Sequence, residues 1–134
     1  MLVLDAAAGV QALVSRAGIA SPAGDRFLAP GLFWSEVTAV PHQLGWGQGI
    51  SRGLADPAVN PPKAAPVARR GPPQLRSKAW EMADRMGWAK TYDAEYVALA
   101  MILRCPLVTT DARLARSAGR LVEIMEPADI DGLT

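Results

Sequence analysis

The sequence predicts an α/β protein: a three-layer α/β/α sandwich built on a mainly parallel sheet. Three observations predict it. Short, wholly apolar runs such as Leu2-Val3-Leu4 and Leu107-Val108 alternate with helical patterns, the order expected of parallel strands joined by crossover helices. Those runs lack the in-out alternation of a half-exposed sheet, so both faces of the sheet are expected to be covered. The chain has 134 residues, half of them apolar and a fifth charged. That is the size and composition of one globular domain, residues 1–134.

The elements follow in order. Leu2-Val3-Leu4 reads as a buried strand that ends at Asp5. Residues 6–17 are rich in Ala, Leu and Val and read as a helix closed by Gly18. Residues 21–25 form a loop, and residues 26–30 hold a second short strand. A helix over about residues 31–44 carries Glu36 and contains Pro41, which is expected to kink or break it. Gly45, Gly47 and Gly49 end that unit; they lack the strand-loop-helix context of a phosphate loop. Residues 57–73 hold six of the eleven prolines, so residues 56–73 are expected to be irregular or mobile, a loop or short broken helices. Leu75, Ala79, Met82, Ala83 and Met86 then share one helical face, closed by Gly87. Thr91 opens another helix, with Ala94, Val97, Ala98, Met101 and Ile102 on its apolar face, and Cys105-Pro106 stops it. Residues 107–109 read as a strand, 112–118 as a short helix and 121–125 as the last strand.

Composition removes several function classes. One cysteine excludes an internal disulfide framework, and one histidine excludes Cys/His zinc sites. Cys105 reads as a small buried hydrophobe and His42 as a surface or packing residue. No apolar run reaches the roughly 18 residues of a membrane helix. Met1-Leu2-Val3-Leu4 meets Asp5 without a basic segment, so no secretory signal is expected and the expected compartment is the cytoplasm. Fourteen basic residues nearly balance thirteen acidic ones. Residues 57–80, however, contain no Asp or Glu but hold Lys63, Arg69, Arg70, Arg76 and Lys78. Such a stretch attracts polyanions, although charge runs are more often only solvated surface.

Four acids carry the chemistry. Asp5 and Asp111 each follow an apolar run and precede a helix. In open α/β sheets ligands bind at the carboxyl ends of strands, so the two converge if their strands are neighbours. Asp93, at a helix start, and Glu36, on the helix after the first βα unit, complete the set. Clustered carboxylates repel unless a cation lies between them, and hard oxygen ligands suit Mg²⁺ or Mn²⁺. Such an ion activates water and stabilises charge on a phosphodiester. Each acid also has a plainer role. Asp93 is a favourable helix N-terminal charge, Asp111 is a cap and Glu36 is a solvated residue. Asp5 is the hardest to explain that way, because strand ends near a core rarely carry an unneeded charge.

Four blocks of sequence carry a resemblance. They are Val3-Leu4-Asp5-Ala6, Ser35-Glu36-Val37, Thr91-Tyr92-Asp93-Ala94-Glu95-Tyr96-Val97-Ala98-Leu99-Ala100 and Pro106-Leu107-Val108-Thr109-Thr110-Asp111-Ala112-Arg113-Leu114. In order and spacing they resemble the motif blocks of PIN-domain ribonucleases, in particular the VapC-type toxins of bacterial toxin–antitoxin pairs. The last two blocks are the specific ones. The resemblance implies a PIN-like fold and an Mg²⁺- or Mn²⁺-dependent endoribonuclease. It implies that Asp5, Glu36, Asp93 and Asp111 hold the metal and orient the attacking water. It further implies a homodimer, an RNA substrate and an antitoxin that covers the site and carries the DNA-binding part, so that this chain need not bind DNA.

Three features depart from the family pattern. Ala7 stands where a hydroxyl or amide residue is common, Pro41 interrupts the Glu36 helix, and residues 56–73 are proline-rich where relatives tend to have amphipathic helices. Ala7 and the proline-rich stretch favour an alternative, a non-catalytic PIN-like module that binds a protein or RNA. The four retained acids oppose it, since like charges cost stability without a cation. A receiver or a haloacid-dehalogenase-type phosphatase ranks last, because Ala7 stands where the latter needs a second Asp. Arg113 and Arg116 are candidate phosphate contacts beside the acids, with a solvated helix face as the plainer reading. Trp34, Trp46, Trp80 and Trp88 are expected in core or interface packing more than in base stacking.

Overall fold

Residues 1–14, 25–46 and 67–130 are described by a computed structural model. Strands β1 (Leu2–Leu4), β2 (Phe27–Ala29), β3 (Val67–Arg69), β4 (Leu107–Val108) and β5 (Ile124–Met125) form one sheet in the order β3-β2-β1-β4-β5. Every pairing is parallel. Val3 stands opposite both Leu28 and Leu107, and Leu4 opposite Val108. The first strand in sequence is thus the middle of the sheet. The chain builds outward from β1 to β3, then returns to build the other side from β4. Its strand order reverses between β1 and β4, where α/β sheets open a crevice for ligands.

Helices α1 (Ala6–Val14), α2 (Leu32–Trp46), α3 (Leu75–Met86), α4 (Tyr92–Leu103) and α5 (Ala112–Ala118) join the strands. The α1 helix packs on α2 and α3 on α4, while α4 also lies against β1 and β4. The pattern is that of the three-layer sandwich. The β1, β2 and β4 strands and Ala94, Val97, Ala98, Leu99 and Ala100 of α4 are buried, with Tyr96, Phe27 and Phe33 the largest fully buried side chains. The α3 helix ends as expected at Gly87, which takes the left-handed conformation (φ 68°) open to glycine.

Three expectations need correction. The proline-rich stretch contains a strand, β3, although no strand was expected there. Val67-Ala68-Arg69 fits between Pro66 and Pro72 and lies at the sheet edge, where neighbouring prolines remove no ladder donor. The rest of that stretch, residues 56–66, lies outside the described residues. The α2 helix runs through Pro41 and Gly45 to Trp46 instead of breaking or ending at 44. Proline removes only its own bond back to residue 37, and the helix continues beyond that gap. The last strand is confined to Ile124–Met125, because Leu121 and Val122 bond back to Ala118 in a turn. Of the four tryptophans, expected in core or interface packing, Trp88 packs against the core, while Trp34, Trp46 and Trp80 stand exposed on this chain, Trp46 by 75%. Helix positions on the outer face can carry an indole without burying it. The expected helix end at Gly18, most of the loop at 21–25, and Gly47 and Gly49 lie outside the described residues.

Candidate active site

The site begins with one buried carboxylate. Asp5 follows β1 and is only 3% exposed. Its backbone N–H bonds to the Val108 carbonyl at 3.1 Å, so the end of β1 is tied to the end of β4. Its Oδ1 accepts the Ala8 N–H at 2.9 Å, capping α1. Its Oδ2 accepts the hydroxyl of Thr109, the residue just past β4. Both carboxylate oxygens of Asp5 are therefore held. Thr109 does double duty, since its Oγ1 also accepts the Asp111 N–H at 3.0 Å. Asp111 caps α5, accepting the N–H groups of Arg113 at 2.9 Å and Leu114 at 3.2 Å. The cap reading of Asp111 is correct, and the Thr109 hydroxyl holds its backbone while the cap holds its carboxylate.

The other two acids come from helices. Asp93 lies in the first turn of α4, and Arg113 Nη2 stands 3.9 Å from its Oδ2. Glu36 lies in the second turn of α2 and is part-buried. Its Oε1 accepts the hydroxyl of Tyr96 at 2.8 Å. Tyr96 is three residues after Asp93, one turn along the same side of α4. A single helix thus carries one acid and holds another by a hydroxyl.

The acids influence one another. Burial pushes the Asp5 carboxyl from 3.8 up to about 6, and the charges of Asp93 and Asp111 push the same way against the Thr109 and Ala8 hydrogen bonds. Burial also raises Asp93, with Asp111 adding to it and Arg113 opposing. Glu36 rises through burial and through Asp93 and Glu95, with the Tyr96 hydroxyl opposing. Glu36, Asp5 and Asp93 in turn hold the Tyr96 phenol well above its ordinary range, after burial as the main cause. Four acids separated in sequence therefore share one electrostatic neighbourhood at the β1–β4 crevice.

Among the described residues, no three His, Cys, Asp or Glu side chains gather as a ready-made ion-holding group. The donors are nevertheless of the right kind: hard oxygens whose mutual repulsion a divalent cation would relieve. Two residues of this centre escaped the search for charges. Thr109 and Tyr96 both lie inside the motif blocks, but as neutral hydroxyls they carry no signal until the fold brings them to an acid. The structure also shows what replaces a hydroxyl at position 7. Ala7 faces solvent, and Asp5 takes its second hydrogen bond from Thr109 instead.

No family model matches the chain. Curated relatives do. Ribonuclease VapC9 of Mycobacterium tuberculosis is 31% identical over 116 residues, which cover 86% of this chain and 89% of the relative. Ribonuclease VapC1 of the same species is 31% identical over 134 residues, covering 91% of this chain and 94% of the relative. A VapC ribonuclease of Mycobacterium bovis matches to the same extent as VapC9. This chain belongs to the VapC-type PIN-domain family. The parallel sheet of this chain and the crevice between β1 and β4 are the framework on which the acids stand. No helix among the described residues of this VapC chain is long and apolar enough to cross a membrane.

Proposed function

We propose that this chain is a metal-dependent endoribonuclease and the toxin half of a toxin–antitoxin pair. The observation that carries the proposal is the buried Asp5 carboxylate, clamped by Thr109 and raised by Asp93 and Asp111 at the sheet's crevice. A charge is kept in such a place for use, since burial penalises it. Asp5, Glu36, Asp93 and Asp111 would hold Mg²⁺ or Mn²⁺. When bound, the ion supplies a more acidic water and positive charge against the phosphodiester oxygens. Thr109 keeps Asp5 and Asp111 in register, and Tyr96 aims Glu36. Arg113 balances Asp93 before substrate arrives and offers a guanidinium to the RNA phosphate afterwards.

The rest of the reading rests on the family. RNA is the substrate, an antitoxin protein is the partner, and the chain works as a homodimer in the cytoplasm, with residues 1–134 acting as one domain. The exposed Trp34, Trp46 and Trp80 supply apolar surface that suits such protein contacts. One observation favours a second reading, a binding module that does not cut: no three acids are gathered for an ion among the described residues.

The test is cleavage of total RNA by the purified chain with Mn²⁺ or Mg²⁺, with chelator, and with Asp93→Asn in parallel. Discrete fragments that require both the metal and Asp93 are expected. A folded sample that leaves RNA whole in every arm would establish the binding module instead.

A further inference from the structure

A second charged site lies beyond the acids. The C-terminal turn of α3 and the end of α5 face one cavity of about 470 Å³, lined by Arg85, Met86, Arg116, Ser117, Arg120 and Leu121. Three of these six side chains are arginines, and no acid lines the cavity. None of the three takes part in an ion pair among the described residues, whose pairs are Met1–Asp25, Lys78–Glu81 and Arg113–Asp93. Met86 and Leu121 are partly buried against the core and give the cavity a fixed floor.

A plainer role accounts for part of this. Arg85 and Arg116 lie in the last turns of their helices, where a cation complements the helix dipole. That explains one arginine per helix. It does not explain why two helices end at the same cavity, nor why Arg120 joins them there. Guanidiniums facing one space repel each other until an anion separates them, as carboxylates do until a cation does. Their planar forks match phosphate oxygens in pairs.

The cavity is also connected to the acids. Arg113 and Arg116 lie at i and i+3 on one side of α5, and Arg120 lies in the turn two residues past its end. Gly119 keeps a right-handed helical conformation (φ −62°, ψ −16°), so the helical path carries on toward Arg120. Arg113 stands against Asp93 at the near end, Arg116 lies about 4.5 Å further along the axis, and Arg120 lies in the turn beyond. A ligand that occupies both ends is a strand of repeated phosphates.

We infer that the Arg85–Arg116–Arg120 cavity is a phosphate-binding subsite that holds the RNA backbone away from the point of cutting. This rests on the proposed ribonuclease reading for the identity of the strand, but not for its binding. The subsite grips the sugar-phosphate chain without reading bases, and so sets how long an RNA must be to bind well.

The experiment measures binding of a 5′-labelled single-stranded RNA of about 30 nucleotides, a length chosen to exceed the axial span above, to the whole chain in chelator. The parent is compared with the triple variant Arg85→Gln, Arg116→Gln, Arg120→Gln. A double variant with the same total charge change, Arg26→Gln and Arg104→Glu, is the control. Unfolding temperature checks that each variant is folded, and the single exposed Arg120→Glu replaces the triple if that one is not. Loss of three phosphate contacts should weaken binding by roughly tenfold or more. It should also flatten the plot of log affinity against log salt by about 2, while the control stays near the parent. Equal affinity and slope in the parent and the arginine variant would overturn the subsite, as would a parent that binds no RNA. Displacement of RNA by polyglutamate of matched charge, through the same three arginines and with equal affinity, would overturn it in favour of an acidic protein ligand. The two readings fail separately. RNA that is bound through these arginines but never cut in Mn²⁺ defeats the nuclease and leaves the subsite standing. RNA that is cut, with binding indifferent to the arginines, does the reverse.

Discussion

Tyr96 is the side chain that best shows how this centre depends on neutral groups. It is almost fully buried, yet its one polar atom is spent on Glu36 rather than on the backbone. Tyr96→Phe keeps the ring and removes that bond. The expected cost is about 1 kcal/mol, the typical net worth of one hydrogen bond, read from urea unfolding with chelator present. Tyr96→Ala also empties the space of the ring, and about 3–5 kcal/mol is expected. On the proposed function, cleavage by the Phe variant should fall further than its stability does, because Glu36 loses its aim. Equal cleavage by parent and Phe variant would show that Glu36 needs no such support. At this scale the sequence was half legible. Asp5, Asp93, Asp111 and Glu36 stand out because charges at strand ends and helix starts are unusual or patterned. Thr109 and Tyr96 stand out only once a partner 104 or 60 residues away is known.

The elements are set against one another by a few close approaches. Gly9 of α1 is one of them. A Cβ added there would lie 2.7 Å from the Phe33 ring and 3.1 Å from Val37, both buried residues of α2. Glu36 lies between those two residues in sequence, so the spacing of α1 and α2 sets where the α2 turn bearing Glu36 sits. Gly9→Ala would gain about 1 kcal/mol of helix propensity and lose about 1–3 kcal/mol to overpacking against a ring with little room to move. Net destabilisation is expected, with loss of cleavage as α2 is pushed outward. Gly71→Ala is the matched comparison: nothing lies within 4 Å of the added atom, and stability should hold or rise slightly. Denaturation curves of the two variants decide it; an unchanged Gly9→Ala would mean that Phe33 yields easily. Element type was legible where a pattern ran long enough, as in α3 with its one-sided apolar face; in α4 the expected face is joined by Tyr96, Leu99 and Ala100, so that the helix is buried nearly all round. It was illegible where proline dominates the signal. A three-residue strand between prolines is too short to show a period, and only pairing with β2 makes it one. In α2 the packing of Phe33 and Val37 outweighs what Pro41 costs.

For the whole molecule, the crevice stores electrostatic strain. The Asp5 carboxyl binds its proton more tightly in the folded chain, at about 6, than at its ordinary 3.8. Its contribution to stability is therefore fully present below about pH 4 and is lost as pH rises through 6. In chelator the parent should lose up to roughly 3 kcal/mol across that window on account of Asp5. Asp5→Asn keeps the acceptor for the Ala8 N–H and removes the charge, so it should be more stable than the parent at pH 7 and close to it at pH 4. Denaturant titrations at the two pH values test this, and an Asn variant that is weaker at both would show that Asp5 is there mainly for its bonds. The overall architecture was legible because apolar runs and helix faces alternate along the chain. The meeting of the acids followed once β1 and β4 were neighbours, which apolar runs alone do not specify. That neighbourhood also has a meaning in time. Thr109, which clamps Asp5, follows it by 104 residues in the order of synthesis, and Asp111 comes just after. A nascent chain that stops short of Thr109 carries half of a crevice and none of the clamp. Long-range pairings of this kind also form late in folding. Translation itself thus acts as a timer: the acids cannot assemble on the ribosome until Asp111 has been added.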